Sequence, residues 1–323
     1  MTYDVSRRSL LALGAGLGAS ALLGRSALAR APKLGTQTPY WHRFILGDAE
    51  VTVVSDGQLP LGPPKGTFVG VPDEDVRKML SDNFLSPDNV VLEQNSPIVN
   101  TGDKLILFDT GMGTAKNFGP TTGRQQKSMA EAGIKPEDID AVVFSHAHID
   151  HIGGVVDANN KVLFPNAQYY IAQNDFDFWT DEGKMGSPLK DFVVHARKNL
   201  LPIRDRLVFF KDGQEFVPGV QAMAAPGHTV GHHIFMVTSN GKSFAFLGDL
   251  THHAVLLLEK PRMQFSYDTD PQQAAETRVR LLTTLAANKT PVMSYHYAWP
   301  GYGHIAKTGD GFRYYPEPMQ MTL

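Results

Sequence analysis

The 323-residue chain contains no cysteine. That absence rules out disulfides, thiolate-bound zinc and iron–sulfur clusters, whatever compartment the protein occupies. Excess charge is also lacking: 30 Lys and Arg stand against 33 Asp and Glu, a net of -3. No Lys/Arg cluster occurs beyond the N-terminus, so the electrostatic footprint of a nucleic-acid binder is missing and nucleic acid is excluded as a partner. The longest apolar run is about 14 residues, short of the ~20 that a membrane span requires. A Gly-x-Ser-x-Gly elbow, which would present a serine nucleophile, is absent too. With 42% hydrophobic and 20% charged residues, the chain has the composition of an ordinary globular enzyme with a sizeable core.

The first segment reads as an address. Ser6-Arg7-Arg8-Ser9-Leu10-Leu11 is a twin-arginine pair leading into an apolar run that ends near Leu23, and Ala27-Leu28-Ala29 is a small-residue cleavage pattern. Residues 1–29 are therefore expected to be a twin-arginine signal peptide, read by the twin-arginine export machinery and removed. The mature protein is expected to be periplasmic or secreted, with no stable membrane anchor, and residues 40–323 to form the catalytic domain.

The strongest motif is His146-Ala147-His148-Ile149-Asp150-His151. Three imidazoles and a carboxylate within six residues form a metal-ligand set, and neutral imidazole with carboxylate suits a borderline cation such as zinc. The motif follows the apolar run Ala141-Val142-Val143-Phe144. It therefore lies just past a strand's carboxyl end, where side chains project into a crevice and converge on a ligand. Upstream, Val51 to Val54 and Lys104 to Phe108 read as strands, the second ending in Asp109-Thr110-Gly111, and Thr122 to Gly133 reads as a helix. Downstream, Val220 to Ala225, Ile234 to Val237, Ser243 to Leu247 and Pro291 to Ser294 read as strands, and Pro271 to Ala286 as a helix opened by proline after Asp270. His228 follows Gly227, Asp249 follows Gly248, and His296 follows the last strand. Five histidines and two aspartates suit two metal ions better than one. Two β-rich halves packed face to face between helices is the economical architecture.

Through Asp109-Thr110-Gly111, Ser145 to Gly154, Gly227-His228-Thr229, Gly248-Asp249 and His296, the chain resembles the metallo-β-lactamase superfamily over nearly all of its mature length. The resemblance implies an α/β fold, an αββα sandwich of two mixed β-sheets packed face to face between helices, with two Zn2+ per chain. His146, His148 and His228 would hold the first ion, Asp150, His151 and His296 the second, and Asp249 would bridge them. Asp109 would orient a metal-bound imidazole from behind. Two zincs about 4 Å apart share a water, lower its pKa and polarise a C=O or P=O oxygen, which makes Asp150 and Asp249 catalytic carboxylates. The β-lactamases of this superfamily carry Cys or Ser where Asp249 stands, so penicillin hydrolysis is set aside. Glyoxalase II shares the ligands, but its glutathione-binding C-terminal helices are not evident.

Phe118 to Arg124, Asp177-Phe178-Trp179 and Pro300 to Ile305 are similar to methyl parathion hydrolase, a secreted phosphotriesterase, and to related lactonases. In that family Phe118 and Trp179 would line an aromatic pocket for the leaving group; the alternative is that both are core. His304 is expected to hydrogen-bond within the tail and not to touch metal. Acyl-homoserine lactonases carry a tyrosine three residues after the bridging aspartate, where this chain has His252, followed by His253. Either His252 is a proton donor beside the metals, or both are solvated loop residues. The expected activity is hydrolysis of a neutral, ester-like small molecule: an aryl phosphotriester, a lactone or an aryl ester. Hydrolytic dehalogenation of an activated aromatic and a non-catalytic zinc-binding role are the alternatives, and a homodimer is left open.

Overall fold

Short apolar runs, buried on both faces, sort into two sheets. The computed structural model describes residue 31 and residues 33–323, so the signal peptide expected over 1–29 lies outside the described residues. The first sheet is formed by Trp41–Leu46 (β1), Ala49–Ser55 (β2), Asn95–Asn100 (β3), Leu105–Phe108 (β4), Ala141–Val143 (β5), Gln168–Ala172 (β6) and Leu207–Phe210 (β7), side by side in chain order. β1 to β4 pair antiparallel, and β4 to β7 pair parallel. The second sheet contains Glu215–Val217 (β8), Val220–Ala224 (β9), His233–Ser239 (β10), Lys242–Phe246 (β11), Val292–Met293 (β12), Tyr302–Thr308 (β13) and Gly311–Pro316 (β14), again in chain order. Its β11–β12 pair is parallel and its other pairs are antiparallel.

The strand period of two decides which layer each side chain enters. Ala141 and Val143 point between the sheets, against Phe235, Phe244 and Phe246, while Val142 points outward. The outer face of the first sheet is covered by Ile149–Ile152 (α1), Gln173–Thr180 (α2) and Lys190–Leu200 (α3), through Ile152, Phe176, Trp179, Val193 and Leu200. The outer face of the second is covered by Pro271–Ala287 (α4), whose Leu281, Leu282 and Leu285 pack with Ile234, Ala245 and Leu247. Helix, sheet, sheet, helix is the observed layer order, and residues Pro39–Leu323 form one compact unit. No helix among the described residues is long and apolar enough to cross a membrane.

Two of the departures from the sequence expectation have a local cause. The helix expected from Thr122 to Gly133 covers only Gln125–Glu131. Asp56 explains its start: the carboxylate accepts from Gly123 N at 3.0 Å and from Gln125 N at 2.8 Å, occupying amides that would otherwise be orphaned. β3 was not foreseen because Pro97 argues against a strand interior. The fold tolerates it because pairing with β4 begins one residue later, at Ile98.

Candidate metal centre

All seven ligand candidates sit on loops or short turns at one edge of the sandwich, just past strand ends. β5 leads into His146 and His148, and α1 carries Asp150 and His151. His228 follows β9 on a turn where Gly227 has φ +124, and a Cβ there would come within 2.2 Å of the Ala274 amide nitrogen. Asp249 follows β11 through Gly248, at φ +46, whose added Cβ would meet His232 Nε2 at 2.7 Å. His296 follows β12. All seven are buried.

The side chains converge in two groups, one of His146, His148 and His228 and the other of Asp150, His151, Asp249 and His296. Asp249 faces both. Its Oδ1 lies 3.1 Å from His151 Nε2 and 3.3 Å from His296 Nε2, and its Oδ2 lies 3.1 Å from His228 Nε2 and 3.7 Å from His146 Nε2.

Behind these rings, a set of acceptors fixes the tautomers. Ser145 Oγ donates to Asp109 Oδ2 at 2.7 Å and so accepts from His146 Nδ1 at 3.0 Å. His151 Nδ1 donates to Asp109 Oδ2, His228 Nδ1 to Asp268 Oδ1 and His296 Nδ1 to the Glu93 carbonyl, each at 2.8 Å. A proton on Nδ1 leaves a lone pair on Nε2, and four such nitrogens point inward. His146 Nε2 and His228 Nε2 approach to 3.1 Å, while His151 Nε2 and Asp249 Oδ1 are buried with no hydrogen-bond partner. Converging lone pairs around a carboxylate require cations between them, so the donor set fits two metal ions.

The electrostatics divide the histidines: without metal, His146 and His148 are held neutral, while His151 and His228 favour a proton that a metal ion would displace. Burial, reinforced by neighbouring imidazoles, holds His146 and His148 well below the ordinary histidine range. For His151, burial is outweighed by Asp249, Asp150 and Asp109, which push it well above. Burial likewise opposes charge on Asp150, but His151 and His296 bring it down to about 2. His228 is raised to about 9 because Asp249 and Asp268 overcome its burial.

Asp109 holds more than one partner. It sits at φ 57, a left-handed conformation that aspartate adopts at a cost, and holds Ser145 N at 2.8 Å as well as His151. Phe118 and Trp179, paired in the sequence reading, part company. Phe118 lines a crevice above the two groups, together with Leu59, Leu92, Phe192, Phe265 and Tyr267. Trp179 is 1% exposed and belongs to the core, edge-on to His148 with ring centroids 5.0 Å apart. It supports a ligand from behind and does not wall the crevice. His304 stays in the tail, 3.0 Å from Glu317.

Of the two alternatives for the histidines after Asp249, the solvated loop is not what the structure shows. His252 and His253 are 2% and 8% exposed. His252 Nε2 lies 2.9 Å from Asp249 Oδ2, and burial brings its pKa down to about 4 despite that contact. His253 Nδ1 accepts from Val255 N and Leu256 N at 3.1 Å each.

Two residues that sequence reasoning missed hold the ligand loops. His232 spans the Ala225 carbonyl and the Asp249 amide, each at 2.9 Å. Its signal was a second histidine four residues after His228. Asp175, on α2, accepts from Ala147 N at 2.7 Å and Gly231 N at 2.9 Å, joining the two loops that carry the first histidine group. Nothing in its local sequence marks it.

Residues 90–292 match the family model described as the metallo-beta-lactamase superfamily. An N-acyl homoserine lactonase from a Bacillus species is 25% identical over 238 residues, 68% of this chain and 84% of that protein. Among solved structures, AidC, a dizinc quorum-quenching lactonase in complex with a product, is 31% identical, with a TM-score of 0.82 over 87% of this chain and 98% of its own. The hydrolase AbOPH is 26% identical, with a TM-score of 0.81 over 88% of this chain and all (100%) of its own.

Proposed function

Since the chain belongs to the metallo-beta-lactamase superfamily and has its fold, we propose that it is an exported dizinc hydrolase that opens lactones bearing an apolar substituent. The observation that carries this reading is Asp249, with one carboxylate oxygen turned to each histidine group. His146, His148 and His228 would hold one zinc, Asp150, His151 and His296 the other, and Asp249 both. When bound, such a pair supplies an acidified water and polarises a carbonyl. The chain's own residues do the rest. Leu59, Leu92, Phe118 and Phe265 give the substituent an apolar wall, which excludes water and strengthens the electrostatics at the floor. Asp109, Asp268 and the Glu93 carbonyl keep the imidazole lone pairs aimed inward. The similarity to AidC and to the Bacillus lactonase supports the substrate class.

A second reading, cleavage of aryl phosphotriesters or aryl esters in the manner of methyl parathion hydrolase, is favoured by one feature. Phe118 and Tyr267 stand edge to face, 6.1 Å between centroids, and form an aromatic slot on the crevice wall.

Metal analysis of the purified protein, combined with a panel of acyl lactones, nitrophenyl esters, paraoxon-type triesters and nitrocefin, tests both. Two zinc equivalents with the highest kcat/KM on lactones is the expected result; turnover of triesters alone would transfer the assignment to the second reading. Export rests on Arg7 and Arg8. Changing both to Lys should strand the protein in the cytoplasm, and mature protein outside it would contradict the proposal.

A further inference from the structure

Helix α4 carries a charge on its apolar face. Ala274, Leu281, Leu282 and Leu285 are buried there, and Arg278, in the same stripe, is 0% exposed. A guanidinium persists in such a place only when its donors and its charge are answered. Arg278 Nε donates to the Leu250 carbonyl at 3.0 Å, and Nη1 donates to the carbonyls of Pro261 at 3.0 Å and Met263 at 2.8 Å. Nη2 faces Asp268 Oδ2 at 3.6 Å. That oxygen is buried and has no hydrogen-bond partner, while Oδ1 of the same carboxylate holds His228 Nδ1 at 2.8 Å. Leu250 directly follows Asp249. One buried cation therefore touches the carboxylate behind His228 and the carbonyl of the residue that follows Asp249.

We propose that Arg278 is a positioning residue of the metal centre, fixing Asp268 against His228 and the backbone beside Asp249 so that both present their donors to the first ion. The proposal rests on the two-metal reading above. Without the guanidinium, the buried Asp268 Oδ2 loses the cation that faces it, and three carbonyls lose their donor. The carboxylate then turns away, and the His228 ring is no longer held with Nε2 toward Asp249. Asp268 is also strapped to the His228 loop through its neighbours, since Thr269 N and Asp270 N donate to the carbonyls of His228 and Gly227 at 2.8 Å each. A shift of Asp268 is thus transmitted to a ligand. His151 and His296 are held by Asp109 and the Glu93 carbonyl instead, so the second ion's group is disturbed only through Asp249.

The test is zinc affinity, by chelator competition on the purified protein, for Arg278→Met, Arg278→Lys and Asp268→Asn, with Leu282→Ala as a packing control on the same helix. One of the two zinc equivalents should weaken about 10–100-fold in Arg278→Met and in Asp268→Asn, with the other weakened less. Arg278→Lys should fall between, and the double variant Asp268→Asn/Arg278→Met should be little worse than either alone, because the two residues act as one unit. Leu282→Ala should lower Tm yet keep both ions. In metal-free samples the downfield proton signal of the His228 Nδ1–H should vanish in Arg278→Met and persist in Leu282→Ala. Arg278→Met holding both zincs as tightly as Leu282→Ala would overturn the proposal; should that variant not fold, Arg278→Lys and Asp268→Asn decide in the same way. The expected zinc pattern without lactone turnover by the wild type would sink the lactonase reading alone, and a wild type that takes up no zinc would sink both.

Discussion

His252 Nε2 stands 2.9 Å from Asp249 Oδ2, so the histidine that replaces the tyrosine of acyl-homoserine lactonases is hydrogen-bonded to the carboxylate shared by both ligand groups. Its ring also packs on Phe265, with centroids 4.0 Å apart. A nitrogen committed to Asp249 is not free to protonate a departing alkoxide. His252→Phe should therefore lower kcat for lactones and nitrophenyl esters alike, by weakening the hold on Asp249, and should reduce zinc affinity. A loss confined to lactones, with zinc content intact, would restore the proton-donor role.

Asp109 organises two ligands at once, His151 directly and His146 through Ser145. Asparagine tolerates the positive φ of this position, so Asp109→Asn should fold. Its amide group either replaces the oxygen that accepts from both His151 Nδ1 and Ser145 Oγ or turns its donor toward Ser145 N. Zinc affinity should fall about 10–100-fold while the far-UV circular dichroism stays unchanged.

Trp179 and Phe118 should respond differently to truncation. Trp179→Ala opens a cavity in the core and should destabilise the protein by ~3–5 kcal/mol, with equal losses on all substrates. Phe118→Ala, at the crevice wall, should leave Tm nearly unchanged and raise KM for bulky or aromatic substrates by the equivalent of ~0.5–1.5 kcal/mol. Thermal melts alongside substrate panels separate the two; a fall in Tm for Phe118→Ala matching that of Trp179→Ala would remove Phe118 from the binding surface.

Metal loading should depend on pH through His228. Asp249 and Asp268 raise its pKa from 6.5 to about 9 against the effect of burial. In the metal-free protein the stabilisation from the charged ring is therefore fully present below pH 6.5 and is lost as pH rises through about 9. Zinc must displace that proton, so affinity for the first ion should climb by about tenfold per pH unit in this window and level off above it. Competition titrations at several pH values check this, and a flat profile from pH 6.5 to 9 would count against it.

What could be read in the sequence was local. His146, His148, Asp150 and His151 lie within six residues at a strand end, and spacing alone makes them a ligand set. His228, Asp249 and His296 each follow a short apolar run, two of them through a glycine whose positive φ the fold requires. α4 was legible because a proline after Asp270 opens an apolar stripe, and Asp270 does accept from Gln273 N at 3.0 Å. β6, β7, β13 and α3 were not singled out, since their residues acquire a burial pattern only against neighbours distant in the chain.

The sequence by itself determined the candidate ligands and the two-sheet plan, because imidazole and carboxylate chemistry and the strand period are properties of short segments. Only tertiary structure decided which groups aim those ligands. Asp268 meets His228 across 40 residues, Asp175 meets Ala147 across 28 and His232 meets Asp249 across 17. The same closure placed Trp179 in the core and Phe118 at the crevice, and put His252 against Asp249. A side chain's period along its own strand or helix fixes which face it occupies, but hydrogen bonds between loops depend on how the two sheets stack, and no local pattern encodes that.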